Sequence, residues 1–159
     1  MQSQASTTCF ICRKHSGEEL VPGGFIYKDE YIHAMHFFPV EGPAYLGYLM
    51  VEANRHIPGL ADLTDAEAQA AGVAVARLSR ALKATEGAEH VYAFVLGHHI
   101  PHLHIHVAAR YPGTPREYWG TRISEWPDAP QGGNEEVARV SERLRTYMEQ
   151  ERSSSTGKS

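Results

Sequence analysis

The spacing of apolar residues changes character several times along the chain. From residue 24 onward, "GFIYKDEYIHAMHF" predicts two short strands around a charged turn at Lys28–Glu30, because aromatic and β-branched residues dominate both runs. The loop "PVEGPAYLG" is rich in Pro and Gly, and "YLMVE" after it predicts a buried strand. In "NRHIPGLADL" the breakers Pro58 and Gly59 turn the chain. The period then becomes helical, with Ala70, Val73, Ala74, Leu78, Ala81 and Leu82 on one stripe. Thr64 and Glu67 have capping-box spacing at the start of this helix, and Gly87 is its expected stop. "HVYAFVLG" (90–97) and "LHIHVAA" (103–109) predict two more strands. A second amphipathic helix follows Asn134 as N-cap, marked by Val137, Val140, Leu144, Tyr147 and Met148. No internal repeat is present. This order predicts an α+β domain with a largely antiparallel sheet.

Composition narrows the class without naming a function. The 159 residues suffice for one domain with a proper core. A net charge of −4 gives no basic surface for nucleic acid, and no nucleic-acid partner is expected. The N-terminus lacks the basic and apolar regions of a signal peptide, and no run is long enough to span a bilayer. A cytoplasmic protein with no membrane partner is therefore the expectation. The two cysteines, Cys9 and Cys12, form a C-x-x-C, which in a reducing compartment points to a shared metal or a redox pair.

The densest chemistry lies in "GHHIPHLHIHV", where five of the ten histidines fall. On a strand, His102, His104 and His106 would share one face, with Leu103, Ile105 and Val107 buried on the other. A purely structural role would require three buried imidazoles to find partners, and each orphaned nitrogen costs roughly 1–3 kcal/mol. Two catalytic readings compete. One is a metal-dependent hydrolase with a His-x-His pair on the metal, although "VAARY" downstream supplies no carboxylate. The other is nucleophilic attack on phosphorus by a neutral imidazole, with its neighbours stabilising the phosphoryl oxygens. A nucleotide-binding module with little catalysis is a third reading of a different class.

The segment "HLHIHVAA" resembles the His-φ-His-φ-His-φ-φ signature of the histidine triad (HIT) family of nucleotide hydrolases and transferases. "GYLMVEANRH" (47–56), "GLADLTDAE" (59–67) and "CFIC" are similar to further segments of that family and of its zinc-containing branch, in the same order. The resemblance implies a mainly antiparallel five-stranded sheet, a long helix after the third strand and a C-terminal helix. It implies that His104 is the nucleophile, forming a nucleotidyl-histidine intermediate that water resolves. His106 would donate to the phosphate, and His102 would lie beside the nucleophile. It further implies a structural zinc on Cys9, Cys12, His56 and His102, no organic cofactor, and a homodimer. Dinucleoside polyphosphates, nucleoside phosphoramidates and nucleotide sugars are the substrates it suggests.

Two departures from that pattern stand out. His98 and His99 occupy places where the family usually has Gln and then Ser or Thr. Imidazolium there would bind phosphate or protonate the leaving group, with activity falling as pH rises through about 6–8. His36 stands where an acidic residue for the ribose is usual, and Glu41 in the longer loop is a candidate replacement. Beyond the triad, Arg110, Arg116, Tyr118, Trp119 and Arg122 suit a base and phosphates, while Trp119 and Trp126 equally suit loop anchors. The resulting plan is a flexible segment 1–8, a HIT-like domain 9–110, a loop and helix 111–152 packed on it, and a disordered tail 153–159.

Overall fold

A computed structural model describes residues 8–156 of the chain. The expected flexible segment 1–8, apart from Thr8, and positions 157–159 of the expected tail lie outside these residues. Five strands form the main sheet: β1 (Phe25–Lys28), β2 (Ile32–His36), β4 (Tyr48–Ala53), β5 (His90–Phe94) and β6 (His104–Arg110). Their spatial order is β1-β2-β4-β6-β5, and every neighbouring pair is antiparallel. β3 (Ala44–Tyr45) pairs with β7 (Gln131–Gly132) in a small second sheet that the apolar pattern does not reveal. Among the described residues, three α-helices accompany the sheets: α1 (Phe10–Ser16), α2 (Asp65–Glu86) and α3 (Asn134–Thr156).

The alternation along each strand sorts the sheet into two faces. On one, Ile32, Ala34, Leu49, Val51, Val107 and Ala109 meet Ala74, Leu78 and Leu82 of α2 and Val140, Leu144 and Met148 of α3. This is the main core. Val73, counted on the apolar stripe of α2, is instead half exposed, and Ala71 takes its place in the core. The face that α2 presents to the sheet is thus Ala71, Ala74, Leu78, Ala81 and Leu82.

The caps form where the sequence places them at α2. Thr64 Oγ1 accepts from the Glu67 amide at 3.2 Å, and the Glu67 carboxylate accepts from the Thr64 amide at 2.8 Å. Gly87 ends the helix in the left-handed conformation at φ 76°. At α3 the cap lies one residue before Asn134. The Gly133 carbonyl accepts the first helical bond, from Val137, and the Gly133 amide donates to Glu136. α3 also runs through Ser153–Thr156, four residues that the sequence reading assigned to a disordered tail. Among the described residues, no helix is long and apolar enough to cross a membrane.

Candidate active site

The second face of the sheet carries the polar residues. β4 runs between β2 and β6, so that Glu52 pairs with His33 on one side and His104 on the other, and Met50 pairs with Met35 and His106. α1 lies over this face. Between α1 and the strands opens a cleft, with Phe10, Ile11, Val21, Phe37, Met50 and Ile100 among its apolar walls. His104, Lys14 and Glu52 also line it.

β6 begins at His104, so His102 precedes the strand rather than forming part of it. The histidines of the triad therefore have three different environments. His104 Nδ1 lies 2.7 Å from the His102 carbonyl oxygen. A carbonyl only accepts, so Nδ1 carries the proton and Nε2 keeps its lone pair. His106 Nδ1 is 2.9 Å from the Tyr48 hydroxyl, and its ring stacks on Phe94 at 4.9 Å. Burial first, and the closeness of a second imidazole, His104, push the His106 pKa down to about 4, so the ring is neutral near pH 7. When Tyr48 donates to Nδ1, the Nε2–H of His106 is free to donate.

His102 is fully buried, and its Nε2 lies 2.6 Å from the Ala53 carbonyl oxygen. By the same reasoning Nε2 holds the proton and Nδ1 presents a lone pair. That lone pair faces two sulfurs, Cys9 Sγ at 3.5 Å and Cys12 Sγ at 3.4 Å. His56 Nδ1 lies 3.4 Å from Cys12 Sγ, and all four ligand atoms fall within 4.8 Å of one another. Zn–S bonds of about 2.3 Å and Zn–N bonds of about 2.0–2.1 Å give a tetrahedron with an S···N edge of about 3.6 Å. The observed separations fit that edge, and the Ala53 carbonyl fixes the tautomer a metal needs. Without a cation the Cys12 thiol is pushed up to about 11, by burial first and by Cys9 second. A divalent ion would deprotonate such thiols.

Local structure explains why these ligands meet. Cys9 is the residue before α1 and Cys12 lies one turn into it, so C-x-x-C spacing aims both sulfurs at the same side. His56 sits on the β4–α2 loop, which Arg55 ties down through bonds of 2.6 and 2.7 Å to the Glu67 carboxylate. Among the described residues this is the one group that could close around a metal, and it contains neither His104 nor His106. The reading of the His face as a catalytic metal site therefore finds no ligand set here.

Several expected site residues have other roles. His36 donates from Nδ1 to the Phe37 carbonyl at 2.7 Å and accepts at Nε2 from the Gly47 amide at 3.0 Å. Both nitrogens are committed, and burial pushes its pKa down to about 4. His36 can touch a ligand through its ring but has no nitrogen to offer a ribose, so it is a structural residue rather than a polar substrate contact. Gly47 serves this turn because its φ is 88° and a Cβ there would lie 2.4 Å from the Tyr111 hydroxyl. Glu41 is exposed on its loop and lies outside the lining of the cleft. His98 and His99 are exposed, with ring centroids 6.2 Å apart. His99 faces a shallow pocket beside Cys9 and His56 instead of the cleft.

Past the triad the anchoring role prevails. Arg110 stacks on Trp119 at 3.9 Å, and the Trp119 indole donates to the Thr114 carbonyl at 3.0 Å. Trp126 packs beside Ile123 and Ala129 in a satellite core. None of Arg110, Arg116, Tyr118, Trp119 and Arg122 lines the cleft.

Sequence reasoning missed a charged group under α1. Glu52 is 1% exposed; Lys14 Nζ donates to its Oε1 and His15 Nε2 lies 2.9 Å from its Oε2. His15 in turn stacks on His33 at 4.0 Å. Burial opposes the Glu52 charge, but His15 and Lys14 outweigh it and hold the carboxyl below its ordinary range. The available signal was a carboxylate at the end of the otherwise apolar run "YLMVE".

The sequence matches the HIT domain model over residues 18–113. The chain belongs to the HIT domain family. This is a family of nucleotide-binding proteins, hydrolases and transferases. Solved HIT structures share the fold at low sequence identity. A zinc-bound histidine triad family protein from Mycobacterium smegmatis is 18% identical with TM-score 0.69, covering 94% of this chain and 99% of its own. A hypothetical histidine triad nucleotide-binding protein from Sulfolobus tokodaii is 20% identical with TM-score 0.66, covering 89% and 93%. A Hit-like protein involved in cell-cycle regulation from Bartonella henselae is 16% identical with TM-score 0.65, covering 89% and 97%. The comparison with curated protein sequences finds no match.

Proposed function

We propose that this HIT protein is a nucleotidyl hydrolase or transferase that works through a covalent nucleotidyl-histidine intermediate on His104. The observation that carries this reading is the 2.7 Å bond from His104 Nδ1 to the His102 carbonyl, which leaves Nε2 unprotonated at the cleft. Nε2 attacks the α-phosphorus, and an N–P bond forms as the P–O or P–N bond to the leaving group breaks. The leaving group departs with that electron pair. His106, held by Tyr48, donates its Nε2–H to a non-bridging oxygen as charge grows there. Water then attacks phosphorus, the N–P bond breaks, and the nucleoside monophosphate leaves. An acceptor other than water makes the same intermediate a transfer reaction. His98 and His99 lie on the exposed loop before Ile100, and a role for them toward the leaving group requires that group to extend out of the cleft to this loop.

Cys9, Cys12, His56 and His102 would hold a zinc ion with all four positions filled, a structural rather than catalytic arrangement. Two free cysteines packed as ligands suit a reducing compartment, in keeping with a cytoplasmic enzyme. β5 is an outer strand of the main sheet, and its open edge supports the homodimer that the resemblance implies. Dinucleoside polyphosphates, nucleoside phosphoramidates and nucleotide sugars all contain the required phosphorus.

The deciding experiment is intact-mass analysis after brief incubation with a pool of these substrates and an alkaline quench, because P–N bonds to histidine are acid-labile. Wild type should gain one nucleoside monophosphate, and His104→Ala should gain none while keeping zinc and fold. Equal labelling of both proteins would sink the assignment.

A further inference from the structure

Lys14, His15 and Glu52 take no part in the nucleophilic step or in the metal cluster. Lys14 and Glu52 nevertheless line the same cleft as His104, among walls that, His36 apart, are otherwise apolar. A buried ion pair is a costly way to hold a helix on a sheet, since apolar side chains of similar volume would do so at no loss of stability. Both groups also keep unused bonding capacity. The Lys14 ammonium has three N–H bonds, one directed to Glu52 and one at 3.3 Å to Met35 Sδ, a weak acceptor. Each Glu52 oxygen accepts one of the bonds described above and retains a further lone pair.

Position matters as much as chemistry. Glu52 stands directly across from His104 on the adjacent strand, and its side chain is held toward α1 by Lys14 and His15. A nucleotide with its α-phosphorus at His104 and its base against Phe10 and Ile11 of α1 would bring the base edge to this pair.

We propose that the Lys14–Glu52 pair reads the base of the bound nucleotide, and that the base it fits is guanine. This rests on the cleft being the nucleotide site. Guanine offers two adjacent N–H groups, on N1 and N2, to the two oxygens of the carboxylate, and its O6 accepts from the ammonium. Adenine and cytosine present one exocyclic amine beside a ring acceptor, and uracil presents a single N–H between two carbonyls. Each of those bases can make one bond to the carboxylate and one to the ammonium, whereas guanine alone engages both carboxylate oxygens together with the ammonium. A site built on buried hydrogen bonds discriminates against bases that leave one unmade. His15 acts as a positioning residue that keeps the carboxylate ionised and oriented.

The test is titration calorimetry of the zinc-loaded protein with GMP, IMP, AMP and UMP, on wild type, Glu52→Gln and Lys14→Met. Wild type should prefer GMP over AMP by about tenfold or more, the effect of one charge-assisted bond. IMP, which lacks the 2-amino group, should fall between them. Glu52→Gln should bring the GMP and AMP affinities together, and Lys14→Met should weaken GMP and IMP more than AMP. A purely structural pair would weaken all four ligands alike and leave their ratios intact, which overturns the proposal. So does a wild-type preference for AMP or UMP, or equal binding of all four. If Glu52→Gln fails to fold, the wild-type ranking and Lys14→Met decide. Absence of any nucleotide binding, together with no label on His104, overturns the function reading and this inference with it; binding without discrimination overturns only the inference.

Discussion

The two faces of the main sheet are built from the same strands yet are opposite in character. The face under α2 and α3 carries Ile, Leu, Val and Ala, and its residues pack as one continuous core. The face under α1 carries His33, Glu52, His104 and His106 interleaved with Met35, Tyr48 and Met50. A long amphipathic helix pair holds the first face mainly by burial. Arg80–Glu151 and Arg143–Glu86 link the helices at their rim, and Arg145 bonds the Gly23 and Phe25 carbonyls. Seven-residue α1 buries only Ile11, and its other contacts with the sheet side are mainly polar: Cys9 and Cys12 meet His56 and His102, and Lys14 and His15 bond Glu52. Stability and chemistry are thus separated by the side-chain period of a strand.

The sharpest test of that separation pairs one substitution on each face. His104→Ala should lower turnover by about 10⁴-fold or more while leaving the melting temperature near wild type, since removing a nucleophile costs the whole covalent path. Leu78→Ala, in the α2 core, should do the reverse: a loss of about 2–5 kcal/mol in urea unfolding, with turnover per folded molecule retained. Loss of activity in proportion to unfolding in both variants would erase the distinction.

Metal removal probes the site face alone. Chelation should strip zinc, lower the melting temperature and weaken nucleotide binding, because α1 supplies Phe10 and Ile11 to the cleft wall. The α2–α3 face should keep its helical circular dichroism throughout. Unchanged nucleotide affinity in the metal-free protein would show that α1 is held without the cluster.

A smaller effect is expected at the hydroxyl behind the triad. Tyr48→Phe removes the hydrogen bond to His106 Nδ1 at 2.9 Å and should lower kcat by about tenfold, with KM little changed. The smallest effect concerns pH and stability. His36 and His106 each titrate at about 4 in the folded chain, against about 6.5 when unfolded. Below about 6.5 the unfolded chain takes up protons that the folded one refuses, so stability is full above that pH and falls toward pH 4. Unfolding free energies measured from pH 7 to pH 4 should fall, and His36→Gln should shallow the fall. A slope unaltered in that variant would assign the effect elsewhere.

Much of the fold was legible along the chain because it obeys local rules. Alternation identified the strands, the Thr64–Glu67 box opened α2 where expected, and Gly87 closed it. The triad pattern pointed to the family, which the domain match bears out. Less legible were features that depend on partners distant in sequence. Val73 looked like core by period but faces outward, and His36 looked like a substrate contact but spends both nitrogens on backbone groups. Lys14 and Glu52 are 38 residues apart, so nothing local announces their bond.

By itself, the sequence determined the strands of the main sheet, the two long helices and which residues carry chemistry, since side-chain period and residue type are local properties. α1, β3 and β7 are too short to show a period. The tertiary structure alone decided what each histidine can do. His102, His104 and His106 are alike in the sequence, but a carbonyl at Ala53 and a hydroxyl at Tyr48 leave the proton on Nε2 of His102 and His106, while a carbonyl at His102 holds it on Nδ1 of His104. An imidazole's role follows from which nitrogen holds the proton, and that is set by the partner the fold brings to it.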